Sequence, residues 1–224
     1  MAKLSTPQDL DKYRQDLAAG KAADRPCVSI CAGAGCLASG AGEVITAFKT
    51  ELAKQGLEAD VDTRGAGCPG FCERGPVVVL HPDETCYLQV TPDDVPEIVE
   101  KSLKGGEVVE RLLYEDPDTN ERAVHEADIP FYKHQERTLL SNNIRIDSRS
   151  LDDYLAIGGS AALVKAPLDT GPASALEEVK ASQIRRPGGA GPPPGRTWAT
   201  TPHHARTTNP LPVTPPQPHS TRRL

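Results

Sequence analysis

The sequence has few aromatic residues, 4% in all with a single Trp, and no run approaching the ~18 consecutive apolar residues that a membrane-spanning helix requires. No transmembrane segment is therefore expected. The opening residues, MAKLSTPQDLDKYRQ, carry charge of both signs and no apolar stretch, so they do not read as a secretion signal. A cytoplasmic setting follows as the expectation. Beyond Lys180 there is no Lys, Asp or Glu but six Arg, which leaves residues 1–180 with a formal charge of about −12 within the net −6. So acidic a body offers no basic surface to phosphates, and nucleic acid is not an expected partner. No cysteine follows Cys86, and none of the six stands in a C-x-x-C pair. No Ser/His/Asp or Cys/His order with a supporting motif is found, and His125 and His134 read as ordinary histidines.

What remains is 224 residues with 38% apolar and 25% charged residues, room for one ordinary domain or two small ones. Ser5-Thr6-Pro7 followed by Leu10, Tyr13, Arg14 and Leu17 predicts a helix ending near Gly20. PCVSICA, residues 26–32, predicts a strand that runs into a glycine-rich stretch. A helix is expected between Glu43 and Gln55, with Val44, Ile45, Phe48 and Leu52 on one face. Strands follow at 59–62, 77–80 and 86–90, the last after the turn HPDE. Thr91-Pro92-Asp93-Asp94 starts a further helix that Gly105-Gly106 ends.

YEDPDTNER, residues 114–122, is polar and turn-rich and suits a linker, with short helical patterns after it at 130–140, 151–157 and 173–179. Ten of the 21 prolines fall after Lys180, so the chain from about Ala181 is expected to be disordered. The organisation read from this is an N-terminal helix (1–23), an α/β domain (24–106), a linker with a short, mostly helical segment (107–180) and a Pro/Arg-rich tail (181–224).

Four cysteines form two close pairs, Cys31-x4-Cys36 (CAGAGC) and Cys68-x3-Cys72 (CPGFC). Each pair follows a predicted strand, so both loops are expected at one end of a sheet, converging on one metal centre. Glycines 33, 35, 65, 67 and 70 surround them, and small residues let backbone N–H groups approach thiolate sulfurs. Arg64 and Arg74 flank the second loop and are candidates to offset the negative charge of such a centre. Structural zinc also takes four thiolates, though its loops usually use C-x2-C knuckles. A disulfide reading needs an oxidising compartment that nothing here supports. Cys27 and Cys86 lie inside predicted strands and read as small buried apolar residues.

CAGAGC…CPGFC on this order of strands and helices resembles the thioredoxin-like 2Fe-2S ferredoxin domain that opens the flavoprotein subunits of NADH dehydrogenases and NAD(P)-linked hydrogenases. IPFYKHQERTLLSNNIRIDSRSLDDYLAIGGSAALVKA, from Ile129 to Ala166, resembles the start of the FMN/NADH-binding domain of the same subunits. The resemblance covers roughly residues 24–180 and implies a thioredoxin-like α/β fold with a 2Fe-2S cluster on Cys31, Cys36, Cys68 and Cys72. It implies one-electron transfer, FMN and NAD(P)H as further cofactors, and other subunits of a hydrogenase or dehydrogenase complex as partners, through which the protein would be peripheral to a membrane.

SQIRRPGGAGPPPGRTW, residues 182–198, keeps Gly188, Gly189, Gly191 and Gly195 in register with the family's flavin-phosphate loop. It departs at Arg186, Pro187, Pro192, Pro194 and Thr197. Proline has no N–H to aim at a phosphate, and the loss of lysine removes a charge that would pair with it. The four glycines are candidate flavin contacts in a degenerate loop, and the chain is expected to be truncated before a complete FMN/NADH site. The alternative reading is a zinc-stabilised thioredoxin-like interaction module without redox activity.

Overall fold

The computed structural model describes residues 6–20, 25–138, 140–166, 170–185 and 191–199. They fall in two compact units, Met1–Ala161 and Ala162–Leu224.

The first unit is organised around strand β1 (Cys27–Cys31), whose five residues are all buried. Its sheet has the order β2-β1-β3-β4, with β2 at Asp62–Ala66, β3 at Val78–His81 and β4 at Thr85–Tyr87. β1 and β2 are parallel, and a parallel pair requires a crossover connection, which α2 (Ala34–Ala38) and α3 (Ala41–Lys54) supply. Val44, Phe48 and Leu52 form the buried face of α3 at the spacing expected of an amphipathic helix. β3 and β4 are an antiparallel hairpin, and β3 also runs antiparallel to β1. The next helical run comprises a 3₁₀ turn (Pro92–Asp94), α4 (Val95–Ile98) and a π turn (Val99–Lys104). It starts at a capping box, with Asp94 accepting from the Thr91 backbone N–H at 2.7 Å. Val28, Ile30, Phe48, Val78, Val79, Tyr87 and Ile98 meet in one fully buried core, each such side chain contributing roughly 1.5–3 kcal/mol.

Three expectations are corrected. The strand expected at 59–62 lies at Asp62–Ala66, because pairing with β1 selects DTRGA despite its lack of apolar alternation. The expected linker folds as a hairpin of β5 (Tyr114–Glu115) and β6 (Arg122–Ala123), closed by Asp116 accepting from the Asp118 and Thr119 backbone N–H groups. The helix expected over 130–140 is confined to α5 (Pro130–Lys133).

Residues 109–138 and 140–147 form an extension that covers both edges of the sheet. At β4, Leu88 N–H donates to the Leu112 carbonyl and Cys86 N–H to the Val124 carbonyl, each at 2.8 Å. At β2, Ala66 and Asp147 form an antiparallel bridge. Further on, α6 (Leu151–Ala156) packs against α1 (Pro7–Gly20), where Tyr13 Oη donates to Asp152 Oδ1 at 2.9 Å.

α7 (Ala161–Lys165) lies at the boundary between the two units, and the second contains α8 (Gly171–Ala181) and α9 (Pro194–Ala199). α9 contradicts the expected disorder over its own span: Pro194 stands at its first turn, where proline has no hydrogen bond to lose. Residues beyond 199 are outside the described set. No helix among the described residues is long and apolar enough to cross a membrane.

Candidate metal centre

Parallel pairing of β1 and β2 brings both cysteine pairs to one end of the sheet. Cys31 is the last residue of β1 rather than part of a loop, Cys36 sits on α2, and Cys68 follows β2. Cys72 opens a 3₁₀ turn, Cys72–Arg74. The pairs differ in depth: Cys31 and Cys36 are 0% and 1% exposed, whereas Cys68 is half-buried and Cys72 exposed.

Glycines separate the thiols. A Cβ built at Gly33 would lie 3.4 Å from Cys68 Sγ and 3.6 Å from Cys31 Sγ, so this one position looks onto a sulfur of each pair. At Gly35 it would lie 3.5 Å from Cys72 Sγ, and at Gly75 only 2.6 Å from Cys36 Sγ. Any side chain at Gly33 or Gly75 would displace a cysteine. Backbone donors reach the sulfurs as well: Gly70 N–H lies 3.3 Å from Cys68 Sγ. The Gly33 and Val77 backbone favour the thiolate forms of Cys31 and Cys36.

Within the deep pair, Cys31 and Cys36 are hydrogen-bond partners. That bond, with burial, pushes the Cys31 thiol up, and the same bond outweighs burial to hold Cys36 below its ordinary value. In the shallow pair the sulfurs are 3.5 Å apart, and the bond to Cys68 raises Cys72. Cys86 is fully buried and pushed far up by burial. Cys27 is pushed up by burial as well, with Arg64 nearby opposing it.

Sequence reasoning aimed Arg64 and Arg74 at the charge of the centre. The structure engages them elsewhere: the Arg64 guanidinium donates to the Arg145 carbonyl, and Arg74 Nε lies 3.7 Å from Glu73. Of the four flavin-loop candidates, Gly191 and Gly195 fall among the described residues. Gly188 and Gly189 lie outside that set. Gly191 has φ +59. Gly195 is buried on α9, where a Cβ would lie 2.9 Å from Lys180 Cα, so its lack of a side chain serves helix packing. A groove lined by Leu37, Thr46, Val95 and Pro96 carries none of the thiols.

Two contacts on the second cysteine loop are not legible in the sequence. Asn143 Nδ2 donates to the Cys68 carbonyl at 3.0 Å, and Phe131 stacks on Phe71 inside the second pair with ring centroids 4.5 Å apart. Gly67, a small residue beside a cysteine, was the one signal in the sequence that something passes close by. Ile129 and Tyr132 pack into the core of this unit, Ile129 fully buried in it, and Phe131 meets that core through Phe71.

The profile described as thioredoxin-like [2Fe-2S] ferredoxin matches residues 19–103. A 2Fe-2S ferredoxin of Clostridium pasteurianum is 42% identical over 77 residues, which are 34% of this chain and 76% of that protein. One of Aquifex aeolicus (strain VF5) is 50% identical over 80 residues, 35% of this chain and 71% of its own length. The chain belongs to the thioredoxin-like [2Fe-2S] ferredoxins. The crystal structure of the wild-type thioredoxin-like [2Fe-2S] ferredoxin from Aquifex aeolicus is 39% identical, covering 42% of this chain and all of that one at a TM-score of 0.39. The H2-reduced NAD+-reducing [NiFe]-hydrogenase is 14% identical, over 84% of this chain and 30% of its own at a TM-score of 0.36.

The residues of this ferredoxin fit the cluster. Four thiols are the donor set that 2Fe-2S iron takes, and glycines 33, 35 and 75 leave the space between them open. Among the described residues no three His, Cys, Asp or Glu side chains converge to hold one ion. The thiols stand as two pairs, Cys31 with Cys36 and Cys68 with Cys72.

Proposed function

We propose that this chain holds one 2Fe-2S cluster on Cys31, Cys36, Cys68 and Cys72 and carries single electrons. It would do so within an NAD(P)H-oxidising flavoprotein subunit of a hydrogenase or NADH dehydrogenase complex. The observation that carries the reading is the pair of thiol pairs, one deep and one shallow, separated by glycines in a chain of this ferredoxin family.

The cluster, when bound, takes up and releases one electron at a time. The protein's own part is to fix the four thiolates and to stabilise negative charge on them. The Gly70 N–H points at Cys68, and such a bond raises the reduction potential by favouring the more negative state. Burial of Cys31 and Cys36 keeps water from one side, while exposure at Cys72 leaves the other side for exchange with a partner.

In this reading the chain supplies the cluster step, and the flavin loop at Gly188, Gly189, Gly191 and Gly195 is degenerate. Pro192, Pro193 and Pro194 remove N–H donors there, and Gly195 is occupied with Lys180. The support for the complex is the sequence resemblance from Ile129 to Ala166. The decisive experiment is visible absorption and low-temperature EPR of anaerobically purified protein before and after dithionite. Absorption that bleaches, with a rhombic S = 1/2 signal on reduction, is the expected result. A colourless, EPR-silent protein containing zinc would overturn it.

A further inference from the structure

The family match ends at residue 103, yet the second cysteine loop is gripped from beyond that point. Asn143 Nδ2 reaches the carbonyl of Cys68 at 3.0 Å. A Cβ at Gly67 would lie 3.0 Å from Asn143 Cγ and 3.1 Å from its carbonyl oxygen, so the approach depends on residue 67 having no side chain. Around this point Arg64 donates to the Arg145 carbonyl and Ala66 bridges Asp147. Arg145 itself pairs with Glu84 at 2.6 Å. At the loop's other flank Phe131 stacks on Phe71 and lies 3.7 Å from where a Cβ on Gly70 would be. The partly buried ion pair between Arg137 and Glu126, at 2.9 Å, goes with Arg137 lying 4.7 Å from the centroid of the Tyr132 ring and ties this segment together.

The loop needs such support. Pro69 contributes no N–H, and Gly70 adopts φ +103, so CPGFC is short of backbone bonds of its own. Cys68 is half-buried and Cys72 exposed, so this loop is the side of the centre nearer solvent.

We propose that residues 129–138 and 140–147 form a strap that sets the geometry of the Cys68–Cys72 loop, with Asn143 as a positioning residue acting through the Cys68 backbone. This rests on the assignment of the four cysteines as cluster ligands. Groups that orient ligands from behind typically govern metal affinity by about 10–100-fold. Asn143 does so here from a segment that the ferredoxin match leaves out.

The test uses the full chain, anaerobically purified. Asn143→Asp keeps the shape and removes the donor, and Asn143→Leu removes the donor without adding charge. Both variants are expected to lose iron to a ferrous chelator about 10-fold faster than the wild type, with an altered EPR line shape. The Asp variant should also have a more negative midpoint potential, because a carboxylate beside the loop opposes the added electron. Gly67→Ala, which pushes the strap away from the opposite side, should accelerate iron loss likewise. Variants with wild-type iron loss, line shape and potential would overturn the strap. A wild type without a 2Fe-2S spectrum would instead overturn the proposed function. Hydrogen exchange in the wild type covers the case of variants that do not fold. Slower exchange at residues 143–147 on cluster loading supports the proposal, and equal exchange with and without the cluster refutes it.

Discussion

Phe71 and Phe131 stack face to face, their ring planes only 8° apart. One ring belongs to the second cysteine loop and the other to α5 in the extension, and Tyr132 meets both rings edge-on. The pair therefore couples a segment inside the ferredoxin match to one outside it.

That coupling is measurable in a double-mutant cycle. Phe71→Leu and Phe131→Leu are expected to be less destabilising together than their separate effects imply, with an interaction energy of about 0.5–1.5 kcal/mol. Additive effects in urea denaturation would mean that the stack contributes nothing beyond burial.

Cysteine substitutions should divide by role. Cys31→Ser or Cys72→Ser is expected to abolish stoichiometric iron and lower the melting temperature, because cluster binding and folding are linked. Cys86→Ala should cost about 1–3 kcal/mol of stability yet retain full iron by elemental analysis. Full iron in the Cys31 variant would show that the ligand set is wrong.

Thiol reactivity in cluster-free protein should follow exposure. Iodoacetamide is expected to label Cys72 first and Cys86 last, since Cys86 is sealed and its thiol is held protonated by burial. Mass spectrometry of a labelling time course gives the order, and cluster loading should protect Cys72.

Asp94 should contribute to the acid limb of stability. Burial pushes its carboxyl up, but hydrogen bonds from Thr91 and Arg111 outweigh burial and hold it below the usual carboxylate range. A depressed native pKa means stability that is full above the unfolded carboxyl's pKa and is lost as pH falls through the native one. Asp94→Asn should therefore destabilise the protein at neutral pH and flatten the decline in melting temperature between the ordinary carboxylate range and stronger acid. An unchanged decline would remove Asp94 from that role.

What could be read from the sequence was whatever repeats at short range. α3, β1 and the β3–β4 hairpin announced themselves through apolar periodicity, and the cysteine pairs through their spacing. β2 did not, because Asp62, Thr63, Arg64 and Gly65 form a strand only through β1 on one side, with the extension closing the other. The polar string after Tyr114 likewise looks like a linker until Tyr114 is seen packed against the core. Asn143 was illegible for a related reason: its partner is 75 residues away and is a backbone carbonyl, which leaves no mark on residue type.

Strands β2 and β4 are the two sides on which this sheet could grow. Bare strand edges recruit other chains, and proteins blunt them by covering or interruption. Here a single run of chain meets both, at Leu112 and Val124 on one side and Asp147 on the other. A fragment of this chain cut after Leu103 would keep all four cysteines and lose both covers. Such a fragment would face a hazard unrelated to electrons, the open-ended addition of its own copies strand to strand.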